Sequence, residues 1–284
     1  MTTSPRIDLD RLLGRLDAFN RIGALPGGGN CRLALSDEDR AGRDLLMRWM
    51  RDLGLTVTVD AIGNIIGVRR GREDLAPIMF GSHIDTVGTG GRYDGLYGVL
   101  AGLEACEALN DAGHATRRPL ALVAFTNEEG SRFAPYAMGS LVYVGGLALE
   151  DAYAVRGIDG ATVGEELRRI GYVGAARPGF LDRLSAQEQV AIATRSLARF
   201  APVSFPKEMV SLIETTAHEL AFSCRRLPSG AGHDAQMMAR LCPATMIFVP
   251  SVGGLSHNVR EHTEPAHLEA GASVLLHSVL RLAD

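Results

Sequence analysis

Histidines and acids in this sequence gather in short glycine-punctuated motifs, each placed just beyond a run of strand-forming residues. In order they are G-S-H-I-D-T-V (81–87), G-R-Y-D-G (91–95), T-N-E-E-G (126–130), G-A-G-H-D-A (230–235) and L-S-H-N (255–258). Carboxylate oxygens and imidazole nitrogens are the donors that hold divalent cations such as zinc. Groups so far apart in the chain, yet all at strand ends, point to one metal-centred site assembled by the fold.

Each motif has its own chemistry and its own plainer reading. His83 and Asp85 are two residues apart, so on extended chain they face the same side. The Asp85 carboxylate can then accept the second imidazole N–H and fix the ring for a metal, which puts Asp85 among the catalytic groups. The same pair also describes a core histidine satisfied by its neighbour. Asp94 lies among Gly90, Gly91 and Gly95, as a ligand or as an ordinary turn residue. Glu128 and Glu129 are adjacent acids at the end of an apolar run, where they repel each other and lose hydration. One use for such a pair is division of labour, with one acid on a cation and the other taking a proton from water. Otherwise they open a solvated loop at Gly130-Ser131-Arg132. His233, ahead of a helix, can polarise a substrate carbonyl or cap that helix. His257 follows a strand expected at 244–249.

The elements that must position these groups are legible from periodicity. Leu9, Leu12, Leu13, Leu16 and Phe19 recur at helical spacing. A second helix starts at Ser36, a good N-cap with Asp37, Glu38 and Asp39 behind it, and stops at Gly54. Residues 55–61 and 65–69 read as a hairpin about Gly63-Asn64. Residues 78–81 form a short strand and 96–109 a helix. The unbroken apolar run 120–125 is a strand buried on both faces. Helices follow at 207–221, 235–241 and 265–282. Alternation of strands and helices predicts an α/β fold, a mostly parallel mixed sheet flanked by helices. Ligands of such sheets gather beyond the carboxyl ends of the strands.

Composition narrows the function classes. The chain has 284 residues and a net charge of -4, which gives no reason to expect nucleic acid or an acidic membrane as partner. No apolar stretch is long enough to span a bilayer, and the N-terminus has no secretory h-region. Cys31, Cys106, Cys224 and Cys242 form no C-x-x-C pair, so reduced thiols in a cytoplasmic protein fit best.

These motifs together resemble the zinc-dependent amidase, hydantoinase and carbamoylase family, within the larger group of co-catalytic metallo-aminopeptidases. The similar stretches are 21–39, 60–67, 81–98, 125–139 and 228–258. The resemblance implies that His83, Asp94, Glu129 and His257 are metal ligands, with Asp94 bridging two divalent ions, zinc or else manganese, cobalt or nickel. It implies that Glu128 is the general base and His233 a substrate contact. The implied activity is hydrolysis of linear amide or ureido C–N bonds in a small molecule, such as an N-carbamoyl amino acid or an allantoate-like ureide.

One part of that family's architecture is missing. Its members insert a second domain of about 100 residues, an ordinary size for a small domain. That domain begins near H-I-E-Q-G-P, which supplies a fifth ligand, and it brings a substrate-binding arginine and the dimer contact. No such motif occurs here, so residues 1–284 read as a single metallohydrolase catalytic domain. In the lid's place, 180–200 reads as a short helical linker, with a capping box at Ser185 and Glu188. Substrate orientation then falls to His233, Arg132 or Arg92. A monomer and an impaired activity are expected. The alternatives are an aminopeptidase-like metallohydrolase and an inactive metal-binding paralogue.

Overall fold

The computed structural model describes residues 4–181 and 201–284; the expected linker helix lies outside them. The chain opens with α1 (Leu9–Asn20) and α2 (Asp37–Asp52); Ser36 caps α2 as the sequence predicts, accepting from the Asp39 N–H, and the Asp8 carboxylate caps α1, accepting from the Arg11 N–H. Next come β1 (Thr56–Val59), β2 (Ile65–Arg69), β3 (Ile78–His83), α3 (Leu96–Asp111) and β4 (Leu120–Phe125). Three shorter helices follow, α4 (Met138–Tyr143), α5 (Leu149–Ala154) and α6 (Val163–Ile170). The last part holds α7 (Lys207–Glu219), α8 (Asp234–Met238) and α9 (Pro265–Ala283).

Among the described residues the strands form one open sheet in the order β1-β2-β4-β3. It is mixed, as expected, but not mostly parallel. β1 with β2 and β2 with β4 run antiparallel, and only β3 with β4 is parallel. The strand expected at 244–249 is the reason for the difference: those residues belong to no regular element and join no strand of the sheet. Pro243 and Pro250, which have no N–H to donate, bracket the segment. Phe248 turns outward, its ring 5.5 Å from that of His233. A cleft of about 580 Å³ separates this segment from the outer edge of β3.

β4 is buried along its whole length, and its alternating side chains feed two cores. Leu120, Leu122 and Ala124 join the larger one, with Phe19, Leu46, Val99, Leu103 and Leu276. Ala121, Val123 and Phe125 join the smaller one, with Leu141 and Met237. Packing on both faces holds the parallel pair rigid, with His83 in register opposite Phe125. Both strands therefore end at the same edge, which is where the motifs begin. No helix of the described residues is long and apolar enough to cross a membrane.

Candidate metal centre

His83 is the last residue of β3, and Glu128 and Glu129 lie in the turn just after β4. Asp94 precedes α3, His233 is the N-cap of α8, and His257 sits in a loop ahead of α9. The fold brings all of them together. The His257 Nε2 lies 2.8 Å from Asp94 Oδ2 and 3.3 Å from Glu129 Oε2. The His83 Nε2 lies 3.3 Å from Glu128 Oε2 and 4.0 Å from Asp94 Oδ1. His233 Nδ1 is 3.8 Å from the other oxygen of Glu128.

Asp85 performs a different task from the one its spacing predicts. The His83 Nδ1 is 3.0 Å from the Asp85 main-chain carbonyl, whereas the carboxylate is 3.9 Å away. A backbone oxygen thus fixes the tautomer and leaves Nε2 to face the site. The carboxylate instead accepts the N–H groups of Glu128 and Glu129, each at 3.2 Å. Asp85 therefore holds the end of β3 to the turn after β4. Its loop is braced by Arg32, buried, whose Nε donates to the Ile84 carbonyl at 2.7 Å and whose N–H donates to Thr86 Oγ1 at 2.8 Å.

Backbone geometry shapes the site at two points. Gly95 has φ +64°, and a Cβ there would lie 2.3 Å from His83 Cε1. Only glycine lets the Asp94 turn close over the imidazole. His257 is itself left-handed, with φ +53°. That costs a residue with a side chain about 1–3 kcal/mol, a cost typically met at functional sites.

The cluster crowds several acids into a partly buried site, where each disfavours the charge of the others. Burial pushes Glu129 up to about 8, helped by Asp85, Asp94 and Glu128. Burial likewise raises Glu128 and Asp85. Burial opposes charge on His83, yet Glu128, Asp85, Asp94 and Glu129 override it and push its pKa up to about 10. A divalent ion would relieve these strains by favouring the ionised acids and the neutral imidazole. The donors also fit one: single ligand atoms of Asp94, Glu129 and His257 all lie within 4.8 Å of one another. His233, by contrast, is pushed down by burial and so is held neutral. Its Nε2 is 2.8 Å from the Ser229 hydroxyl.

Arg132 does not reach the cluster. Its guanidinium is buried over the Phe133 ring and donates to Asp159, Glu166 and the Ala34 carbonyl at 2.7–3.0 Å. Four of its five N–H donors are engaged in these contacts, which corrects the expectation of a substrate contact. Arg132→Ala is expected to cost about 1–3 kcal/mol of stability, because it takes the donor from Asp159 and from the buried Ala34 carbonyl, while Glu166 keeps Arg169. Denaturant unfolding measures that loss; a raised KM at unchanged stability would return Arg132 to the substrate. Arg92 pairs with Asp17 at 2.5 Å. One acid beside the site escaped sequence reasoning. Asp234, buried next to His233, accepts from the Ser140 hydroxyl at 2.5 Å. Its place in the first turn of a helix reads as ordinary dipole compensation.

Comparison with known proteins places this geometry. Residues 79–281 match the family model described as Peptidase family M20/M25/M40. An N-carbamoyl-L-amino-acid amidohydrolase of Rhizobium meliloti is 29% identical, with 98% of this chain and 97% of that one covered. An N-carbamoyl-L-amino acid amidohydrolase of Geobacillus stearothermophilus is 27% identical, with 97% and 98% covered. The first of these alignments runs over 405 residues against a chain of 284. That relative therefore has a long stretch with no counterpart here, as expected where the lid domain is lacking. A solved structure described as an amidase of the hydantoinase/carbamoylase family, from Burkholderia multivorans, superimposes with a TM-score of 0.90 at 33% identity, covering 99% of each chain. This chain belongs to Peptidase family M20/M25/M40, on its hydantoinase/carbamoylase amidase branch.

Proposed function

We propose that this protein is a metal-dependent amidohydrolase that cleaves linear amide or ureido C–N bonds, with N-carbamoyl amino acids or allantoate-like ureides as its substrate class. One observation carries the reading: a three-donor set, Asp94, Glu129 and His257, with a second acid, Glu128, beside it and free to act as a base. The relatives named above act on carbamoylated amino acids, which supports the substrate class.

Two divalent ions, zinc or else manganese, cobalt or nickel, would supply Lewis acidity to the substrate carbonyl and to the attacking water. Asp94, with one oxygen toward His83 and the other toward His257, would be a ligand shared between the two ions. Glu128 takes a proton from the water as its oxygen bonds to the carbonyl carbon. The C–N bond then breaks, and Glu128 returns that proton to the departing nitrogen. In the tautomer in which the Ser229 hydroxyl donates to Nε2, His233 carries its proton on Nδ1 and can donate it to the substrate carbonyl oxygen. From an N-carbamoyl compound the products are the free amino acid, ammonia and carbon dioxide.

Turnover is expected below that of relatives carrying the lid. His257 is 53% exposed at its side chain, so bulk water screens the charges that stabilise the transition state. The lid's share of substrate orientation is also gone. All four cysteines are free, which suits a monomer acting on small molecules in the reducing cytoplasm.

The test pairs metal stoichiometry, measured on protein purified without chelator, with a panel of N-carbamoyl amino acids, ureides and aminoacyl amides. Bound metal with slow ureide hydrolysis is expected. Cleavage of aminoacyl amides alone would make the protein aminopeptidase-like, and metal without turnover would make it a binding paralogue.

A further inference from the structure

The loop bearing His257 is wedged against the turn bearing Asp94. A Cβ on Gly29 would lie 2.6 Å from both the Val259 Cα and the Gly90 carbonyl oxygen, so three backbone segments touch here. Glu261 continues from that loop, its N–H bonded to the Asn258 carbonyl at 2.9 Å. Its side chain turns inward and is buried, 7% exposed. There it lies under Gly91: a Cβ at that position would fall 1.3 Å from Glu261 Oε2. The main-chain N–H groups of Tyr93 and Asp94 face the carboxylate, while its Oε2 has no hydrogen-bond partner.

A buried carboxylate beside a second acid is costly, and packing alone gives no reason to keep it. Glu261 is not in the group of donors close enough to share an ion. What it touches is the turn that presents Asp94, from the loop that presents His257. We propose that Glu261 is a positioning residue, whose carboxylate holds the Gly91–Asp94 turn against the His257 loop and so sets the metal affinity of Asp94, Glu129 and His257. This rests on the metal-centre reading above.

The experiment compares the parent protein with E261A and E261Q by zinc competition against a chromophoric chelator. The visible spectrum of the cobalt(II)-loaded forms and melting in excess chelator are recorded in parallel. Truncation of a residue that orients ligands weakens metal binding by about 10–100-fold. E261A is expected to show that loss and an altered cobalt spectrum, with its metal-free melting temperature close to the parent's. E261Q keeps an acceptor oxygen and should recover most of the affinity. Parent-like zinc affinity in E261A, or equal losses in both variants, overturns the proposal while leaving the metal centre standing. A parent protein that binds no zinc, manganese, cobalt or nickel overturns both.

Discussion

Replacing Glu128 with glutamine is expected to lower kcat by about 10²–10⁴-fold, the usual contribution of a general base, with metal content unchanged. The substitution keeps the shape of the side chain and an oxygen for the site, but an amide cannot take the proton from water. Metal retention follows from the geometry: the donors closest to one another are Asp94, Glu129 and His257, and Glu128 is not among them. Its own near neighbours are His83 at 3.3 Å and His233 at 3.8 Å. The two measurements are kcat on the best ureide substrate and elemental analysis of the same preparation. Metal lost together with activity would make Glu128 a ligand and leave the reaction without its base.

The second large effect belongs to Asp94. Within the cluster, Glu129 is paired with His257 and Glu128 with His83 and His233, while Asp94 is the acid that faces both His83 and His257. Asp94→Ala should therefore empty both positions together and abolish turnover. His257→Ala, by comparison, removes a donor from one position only. Elemental analysis of the two variants side by side decides the matter. Parent-level metal in Asp94→Ala would show that the acid does not bridge. The fold should survive the change, because Asp94 is half-buried in a turn and belongs to neither hydrophobic core.

How much of this was legible beforehand varies with the kind of signal. Helices with an amphipathic stripe and a capping side chain, such as α1 and α2, are written in local sequence, and so are α9, which opens on Pro265, and β2 and β4. α4 is buried on every side, so it shows no period to read. α6 carries a local cue in its Thr162–Glu165 capping box. The strand expected at 244–249 has the right residues, but pairing is a tertiary property and the bracketing prolines work against it. At the site, residue types and strand-end positions were enough to gather His83, Asp94, Glu128, Glu129, His233 and His257. They could not reveal which atom of Asp85 meets His83, since side-chain spacing says nothing about carbonyl orientation. Nor could they show that Arg132 is consumed by Asp159 and Glu166, partners that follow it by 27 and 34 positions.

The unpaired stretch ahead of α9 has a thermodynamic consequence. Between the end of α7 and the start of α9, the described chain adds no strand to the sheet, and its regular structure is α8 and one 3₁₀ turn. A cation shared by Asp94, Glu129 and His257 would clasp that segment to the strand ends like a buckle. An ion that binds only the folded form adds about 2.7 kcal/mol when present at a hundred times its dissociation constant. Cofactor loading and the ordering of the segment between α7 and α9 would then be one equilibrium, and a chelator would loosen the molecule at the place where it is least woven into the sheet.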